Sequence, residues 1–269
     1  HTSGDQRESF SMVHEYPLDG APPVMTHVFR NAANDTIIAC KGGVESILRQ
    51  SVLTDEQKQQ MLEVTQQLSA QGYRVLAVAK SAKSYDKFPA TQAEFDYTFL
   101  GLIAFSDPPK KNTASIITSF YQAGIGVKMI TGDYAPTAIA IAKQIGIQNH
   151  QAVLTGDEIM LMDAVTIQEK VKATNVYARM FPEAKLKVIE AFKRNGEVVA
   201  MTGDGVNDGP ALKAAHMGIA MGQRGTEIAK QAASLILTDD NLQHMVEAVA
   251  LGRRIYENLK KAIRYIISI

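Results

Sequence analysis

The residues best suited to chemistry in this 269-residue chain form two copies of one triplet, Thr-Gly-Asp. Residues 131–133 follow one apolar run, and residues 202–204 follow another. Each copy places a hydroxyl, a glycine and a carboxylate where a predicted strand ends. A single copy is typical of a polar turn, in which glycine allows an unusual backbone and aspartate caps a helix. Two copies at the strand ends of one sheet favour a shared site.

The second copy continues into a run, residues 201–210, that is rich in glycine and contains Asp204 and Asp208. Two carboxylates four residues apart on a strand-to-helix turn could converge on one Mg²⁺, which also takes water and phosphate oxygens. The glycines would let backbone N–H groups approach an anion. Without a cation the two carboxylates would repel each other. The run therefore predicts a site for magnesium and phosphate.

Three cations are further candidates. Lys185, in a helix predicted to begin at Pro182, could neutralise a phosphoryl group if it reached the carboxylates. Lys41, which precedes two glycines and a predicted helix, could hold an anionic nucleotide, although no Gly-Lys-Ser/Thr pattern follows it. Taken alone, these lysines and Arg74 are more typical of solvated surface residues.

Composition excludes several classes of protein. The net charge is zero and the pI is about 7.2, so no basic excess indicates a nucleic-acid partner. The apolar and charged fractions, 46% and 21%, are those of a globular chain. A single cysteine, Cys40, excludes a disulfide scaffold and is typical of a core residue. No apolar run is long enough for a complete membrane helix.

The elements that must position these residues fall into two groups. Residues 3–23 are polar and rich in proline, so we expect them to be irregular. A hairpin, two helices and two more strands should follow, which predicts an antiparallel sheet with helices up to residue 106. A capping box at Thr54 and Gln57 should begin the second helix. After the breaker Asp107-Pro108-Pro109, strands and helices alternate, which predicts a parallel α/β sheet covered on both faces. Ligands of such sheets lie beyond the carboxyl ends of the strands.

Residues 241–269 predict one long helix, with Asp239, Asp240 and Asn241 available to cap its start. Basic residues precede its final apolar turns. This pattern is compatible with an amphipathic helix and with the cytoplasmic mouth of a membrane helix. The chain begins without Met and stops within an apolar run, so we expect it to be a piece of a larger protein.

Taken together, these motifs resemble the cytoplasmic part of P-type cation-transporting ATPases, of the calcium and sodium-potassium branch. The run at 201–210 is similar to their Thr-Gly-Asp-Gly-Val-Asn-Asp signature. Other matching segments occur in the family's order, and they are Lys-Gly-Gly-Val-Glu at 41–45, Asp-Pro-Pro-Lys at 107–110, Thr-Gly-Asp at 131–133, Ala-Arg with Pro182 and Lys185, and Gly-Arg-Arg-Ile-Tyr at 252–256. The resemblance covers residues 15–269.

The resemblance implies a fold and a domain division. Residues 1–106 would be a partial α+β nucleotide-binding domain. Residues 107–240 would be an incomplete phosphorylation domain of the haloacid-dehalogenase type, with a parallel sheet and helices on both faces. Residues 241–269 would be a long helix leading into a truncated membrane helix. The chain would lie on the cytoplasmic face of a multi-pass membrane protein.

The resemblance also implies roles for single residues. Asp204 would bind Mg²⁺ with support from Asp208, and Lys185 would stabilise the phosphoryl group. Phosphate or nucleotide contacts would come from Thr131, Gly132, Asp133 and Asn207, and ATP contacts from Arg179, Arg74, Lys41 and Tyr16. Tyr16 would stand in for an adenine-stacking Phe. The partners would be ATP, the actuator domain and the membrane helices, and the transported cation would bind outside this chain.

The sequence departs from the family pattern in two respects. It contains no Asp-Lys-Thr-Gly motif, so the phosphorylated aspartate would lie elsewhere. Residues 18–23 also lack the family's usual basic residue. Three hypotheses therefore stay open: an ion-pump fragment that is inactive alone, a soluble phosphatase of the same fold with Asp133 or Asp204 as nucleophile, and a non-catalytic nucleotide-binding module.

Overall fold

A computed structural model describes residues 7–20, 22–81, 85 and 87–268. The chain divides into two compact units, His1–Asp107 and Pro108–Ile269. Residues 3–6, which belong to the segment predicted to be irregular, lie outside the described residues. Residue 269, the end of the predicted last helix, does so too.

The first unit is an antiparallel sheet with two helices, as the sequence predicts. Its five strands are hydrogen-bonded in chain order, so each strand pairs with its sequence neighbour. The capping box at the start of the second helix is confirmed, because Thr54 and Gln57 exchange hydrogen bonds of 3.0 and 3.2 Å. The elements are β1 (Phe10–Asp19), β2 (Val24–Asn31), β3 (Thr36–Gly42), α1 (Val44–Gln50), α2 (Asp55–Ala70), β4 (Arg74–Ser81) and β5 (Thr98–Phe105).

The expectation that residues 3–23 are irregular is wrong for the described part, because β1 occupies most of it. β1 is an edge strand, where Pro17 can lack an N–H without breaking a ladder on both sides. Its pairing with β2 is irregular between Tyr16 and Asp19, so the two-residue alternation of the strand is interrupted there. Tyr16 is the one residue of β1 that is fully buried. The strand therefore lacks the alternating apolar pattern that would identify it in the sequence.

The strand registers separate the two faces of this sheet. Thr26, Cys40 and Ala79 are directly paired across β2, β3 and β4, and all three are buried. Directly paired residues share a face, so this is the core face. Met25, Lys41 and Val78 are paired one position along and therefore share the opposite face. That opposite face is only partly covered by the described residues, since Lys41 is exposed.

The second unit alternates strands and helices, and its strands are parallel, as predicted. Among the described residues they form two three-stranded sheets, in the orders β6-β8-β7 and β11-β10-β9, rather than the single sheet that the sequence predicts. The two Thr-Gly-Asp triplets therefore lie at the ends of edge strands, β6 and β9, of different sheets. The strands are β6 (Met129–Ile130), β7 (Val153–Thr155), β8 (Val176–Ala178), β9 (Ala200–Gly203), β10 (Met217–Met221) and β11 (Leu235–Leu237). The helices are α3 (Thr113–Gln122), α4 (Ala135–Gln144), α5 (Gly156–Leu161), α6 (Ala164–Ala173), α7 (Pro182–Arg194), α8 (Gly209–Ala214), α9 (Glu227–Ala232) and α10 (Gln243–Ile267).

Helices cover both faces of the sheet that contains β8. Val176 and Ala178 belong to one core with α3 and α4, whereas Tyr177 belongs to another with α6 and α7. Consecutive strand residues point to opposite faces, so β8 is buried from both sides. The haloacid-dehalogenase-type layering that the sequence predicts is therefore confirmed.

The last helix begins at Gln243 rather than at Asn241. Its N-cap residue is Leu242, which makes no side-chain cap hydrogen bond, although the Asn241 side chain just before it accepts the Gln243 N–H (3.1 Å). Asp240 does not cap this helix, which corrects the prediction, because its carboxylate binds backbone N–H groups of another loop. Within residues 7–20, 22–81, 85 and 87–268, no helix is both long and apolar enough to cross a membrane.

Candidate functional site

The first Thr-Gly-Asp triplet forms a closed turn directly after β6. The Thr131 hydroxyl donates to Asp133 Oδ2 (3.0 Å), and the Asp133 N–H donates back to Thr131 Oγ1 (3.1 Å). This exchange fixes both side chains and leaves Gly132 at the apex between them. The turn thus holds a hydroxyl and a carboxylate at the carboxyl end of a parallel strand, where such sheets bind ligands.

Arg179 is tied to the same turn. Its N–H donates to the Asp133 carbonyl and the Met180 N–H donates to the Thr131 carbonyl, both at 2.9 Å. Arg179 has a left-handed backbone, with a φ of 50°, and its guanidinium carbon lies 4.8 Å from the centre of the Tyr134 ring. The structure therefore brings Thr131, Asp133 and Arg179 together.

Lys185 reaches the carboxylate run, which was the condition for its proposed role at phosphate. Its Nζ atom lies 2.6 Å from Asp208 Oδ1, and the two side chains are 12% and 11% exposed. The other Asp208 oxygen accepts the N–H groups of Asp204 (3.2 Å) and Gly205 (3.1 Å). Gly203 makes this geometry possible, since a Cβ there would lie 2.6 Å from the Asp208 Cβ.

These contacts correct the expectation that Asp204 and Asp208 converge on one cation. Both oxygens of Asp208 are committed to Lys185 and to backbone N–H groups, so Asp208 organises the turn instead. Asp204 and Asn207 are exposed. Among the described residues, no hydrogen bond or ion pair engages the Asp204 carboxylate, and no group of three His, Cys, Asp or Glu side chains could hold a metal. One exposed carboxylate fits Mg²⁺, which commonly binds one or two carboxylates together with phosphate oxygens.

A pocket of about 180 Å³ lies beside Asp204. Lys110, Arg224 and Asp240 contribute to its wall, together with the start of α3. The sequence analysis assigned no role at this site to any of the three. Lys110 belongs to the Pro-Pro-Lys segment and Asp240 to the acidic pair before α10, so the signals were present but pointed to a hinge and a cap.

In the first unit, Lys41 and Arg74 lie on one face of the sheet and Tyr16 on the other. Lys41 is paired with Val78, and Arg74 lies four residues from Val78 along β4, so these two exposed cations share the open face. Tyr16 is paired with Thr26 on the core face.

Tyr16 does not present the open aromatic face that the sequence analysis expected. It is 6% exposed, its hydroxyl donates to the Pro89 carbonyl (2.6 Å), and its ring contacts Phe95 edge to face. Burial raises the pKa of Tyr16. Leu18 is 61% exposed. In a regular strand, Tyr16 and Leu18 would share a face. The pairing irregularity between Tyr16 and Asp19 explains why one is buried and the other exposed, and the sequence pattern does not reveal it.

Comparison with known proteins now decides the family. Residues 19–216 match the family model described as haloacid dehalogenase-like hydrolase. The chain belongs to this family.

Within this hydrolase family, the chain is similar to cation-transporting ATPases. It is 36% identical to the calcium-transporting ATPase of Bacillus subtilis and 39% identical to calcium-transporting ATPase 1 of Lactococcus lactis, over 97% and 98% of its length. It is 40% identical to the probable cation-transporting ATPase F of Mycobacterium tuberculosis over 93% of its length. These matches confirm the resemblance to P-type ATPases. The chain spans about a third of each relative, namely 31%, 31% and 29%.

The geometry of this haloacid dehalogenase-like unit suits a phosphate ligand. At the turn after β9, Lys185 provides a cation and Asp204 an exposed carboxylate. The Thr131 hydroxyl belongs to the separate turn after β6. The pairing of Lys185 with Asp208 holds the ammonium group in place with little solvent contact. The lysine therefore needs little reorganisation when an anion binds. Such preorganised charges are what phosphoryl transfer requires.

Proposed function

We propose that this chain is the nucleotide-binding and phosphoryl-handling part of an ATP-driven cation pump. It would bind ATP and Mg²⁺ and direct the phosphoryl group to an aspartate. The observation that carries the proposal is the contact of Lys185 with Asp208, whose other oxygen binds the Asp204 N–H. This contact joins the proposed phosphate-binding lysine to the proposed metal carboxylate in one rigid turn.

Each proposed role in the second unit follows from a position at this turn or at the turn after β6. Asp204 would bind Mg²⁺, which when bound neutralises charge on phosphate oxygens. Lys185 and Thr131 would stabilise the transferring phosphoryl group, and Asp208 would position Lys185. The remaining phosphate or nucleotide contacts would come from Gly132, Asp133, Arg179 and Asn207.

In the first unit, the open sheet face would bind the nucleotide. Lys41 and Arg74 are exposed on that face and would attract phosphate groups. We assign Tyr16 a supporting role behind the sheet, because its ring is packed into the core.

The acceptor aspartate would come from a segment that is absent from this sequence. The edge strands β6 and β9 support this proposal, since each has a row of backbone groups without a strand partner among the described residues. Ile130 of β6 and Val199, next to β9, pack against the same two cores. A strand that paired in parallel with either edge would carry its carboxyl end toward the triplets.

The pump itself and its cation are also proposals. The relatives' names support a cation, and two of the three name calcium. The remaining partners would be an actuator domain and membrane helices, with α10 leading toward the membrane and the cation binding outside this chain. The protein would then work at the cytoplasmic face of that membrane.

Calorimetric titration of the full chain with ATP and Mg²⁺ tests nucleotide binding. We expect Lys41→Ala and Arg74→Ala each to weaken ATP binding by about ten-fold, the loss of one charge-assisted contact. Lys58→Ala on α2 is the matched control and should bind as the parent chain does. Equal affinities for all four proteins would contradict a nucleotide site on this face.

A second candidate, a soluble phosphatase, is favoured by the hydrolase family itself. In that case Asp133 or Asp204 would be the nucleophile. Steady turnover of p-nitrophenyl phosphate that Asp133→Asn or Asp204→Asn abolishes would establish it. We expect no turnover, because the sequence has no Asp-x-Asp pair at the end of a strand, and because the Thr131 hydroxyl already donates to Asp133.

A further inference from the structure

Asp240 is a buried carboxylate for which the proposed function gives no role. It is 6% exposed and has a left-handed backbone with a φ of 54°. A non-glycine residue in this conformation is strained, and such strain persists only where the surroundings enforce it. The contacts of the Asp240 side chain therefore compensate for its unfavourable backbone conformation.

The carboxylate of Asp240 binds one loop with both oxygens. Oδ1 accepts the N–H of Gln223 and Oδ2 accepts the N–H of Arg224, each at 3.0 Å. The N–H of Gln223, followed by that of Arg224, holds the pKa of Asp240 below its ordinary value although burial opposes this. Asp240 is thus a charged acceptor for two consecutive backbone donors, which is a strong and geometrically specific contact.

The loop that Asp240 binds, residues 222–226, has little freedom to move. The Gly222 N–H donates to the Leu237 carbonyl (2.8 Å), and a Cβ at Gly222 would lie 2.7 Å from that same oxygen. At the other end of the loop, the Thr226 N–H donates to the carbonyl of Asp204 (2.8 Å). The loop therefore connects the carboxylate of Asp240 to the backbone of Asp204.

A cation holds Asp240 from the other side. Lys110 Nζ donates to the Asp240 carbonyl (3.0 Å), and both residues line the pocket that contains Asp204. Asp240 is therefore fixed through its backbone by Lys110 and fixes the loop through its carboxylate. This chain of contacts meets the turn that Lys185 and Asp208 organise only at Asp204, whose carbonyl accepts the Thr226 N–H and whose N–H donates to Asp208.

We propose that Asp240 is a positioning residue for Asp204, acting through the loop 222–226, and that it sets the affinity of Asp204 for a divalent cation. The inference rests on the proposed function, in which Asp204 binds Mg²⁺. Asp240 precedes α10 by three residues, so the same contacts couple the start of that helix to the metal carboxylate. Outer contacts of this kind are worth about ten- to a hundred-fold in metal affinity.

The first test is titration of the full chain with Mn²⁺ alone, followed by electron paramagnetic resonance. Asp240→Asn keeps the size of the side chain but turns an amide NH₂ toward a backbone N–H that needs an acceptor. We expect it to weaken Mn²⁺ binding by about ten-fold. Asp239→Asn removes the same charge one residue earlier, from an exposed side chain, and should bind Mn²⁺ within two-fold of the parent.

A second pair of variants tests the contact at the other end of the loop and does not depend on Asp240→Asn folding. Thr226→Pro removes the N–H that binds Asp204, and the φ of −66° at this position suits proline. Thr226→Ala keeps that N–H and loses only the hydroxyl that caps α9. We expect Thr226→Pro to weaken Mn²⁺ binding several-fold and Thr226→Ala to leave it unchanged. The two variants should melt at the same temperature.

Asp204→Asn separates failure of this inference from failure of the proposed function. If Asp204→Asn binds Mn²⁺ as the parent does, the proposed metal site itself is wrong. If Asp204→Asn abolishes binding while folded Asp240→Asn and Thr226→Pro bind within two-fold of the parent, the positioning role is overturned and the metal site stands. Loss of stability in Asp240→Asn without any loss of Mn²⁺ affinity would also overturn it.

Discussion

Lys185 and Asp208 form a nearly buried ion pair, with Nζ and Oδ1 2.6 Å apart, although 22 residues separate them in the chain. The pair joins α7 to the glycine-rich turn after β9. It holds one cation and one carboxylate at the carboxyl end of a parallel strand, so it positions the chemistry as well as stabilising the fold.

Lys185→Met should destabilise the second unit by about 2 kcal/mol, because it leaves the Asp208 charge buried without its cation. Removing one partner of a fully buried pair costs about 3–5 kcal/mol, and the slight exposure of this pair reduces the loss. Urea denaturation measures the change. The exposed pair of Lys172 with Glu169 supplies the control, since Lys172→Met should change stability by less than about 0.5 kcal/mol. Equal losses in the two variants would refute a structural role for the Lys185 pair.

Gly203→Ala should destabilise the same unit by about 1–3 kcal/mol, because its Cβ would press on Asp208 at 2.6 Å. Gly209→Ala is the matched control. A Cβ there would meet its nearest neighbour, Ile228, at 3.6 Å, and the residue is helical, so alanine should be neutral or slightly stabilising. Thermal unfolding of both variants decides the point. A Gly203→Ala protein as stable as the parent would show that the turn is not tightly packed.

Tyr16→Phe should cost the first unit about 1 kcal/mol, the usual worth of one hydrogen bond, since the Pro89 carbonyl would lose its donor. Leu18→Ala changes an exposed side chain nearby and should be almost neutral. Urea denaturation of the two variants tests whether Tyr16 is a core residue. A large loss in Leu18→Ala and none in Tyr16→Phe would reverse our assignment of the two faces.

His244 should titrate above the ordinary histidine pKa of about 6.5. A hydrogen bond to Glu247 raises its pKa most, and a second to Asp239 adds to this. Protonated His244 therefore stabilises the fold, and this contribution is complete when the pH is below the pKa of the unfolded state. It is lost as the pH rises through the higher pKa of the folded state. Proton NMR of the imidazole measures the pKa, which Glu247→Gln should lower. A parent pKa at or below 6.5 would contradict these contacts.

Local pattern was sufficient where an element is defined by its own residues. β8 and α1 are a strand and a helix, as the sequence predicts, because a short apolar run and a helix that follows two glycines are local signals. β1 was missed because its edge position and Pro17 remove the alternating pattern. α5 was missed because six residues are too few for a helical period to be visible.

The candidate site was predictable in its residue types but not in its contacts. Glycines, carboxylates and the lysine at strand ends indicated phosphate chemistry, and Lys185 does reach the run. The sequence could not show that Asp208 would bind Lys185 and leave Asp204 alone, since contacts across 22 residues depend on packing. For the same reason Asp240 was assigned to the nearest helix rather than to a loop 16 residues earlier.

We propose that this chain binds ATP with Mg²⁺ and that the aspartate receiving the phosphoryl group lies outside it. Equilibrium dialysis of the full chain against γ-³²P-labelled ATP and Mg²⁺, followed by acid quenching of the same sample, tests both parts in one measurement. We predict that label accumulates with the native protein and that none remains on the denatured chain. Stoichiometric, hydroxylamine-sensitive label after quenching would contradict the account, and so would a failure to retain label before it.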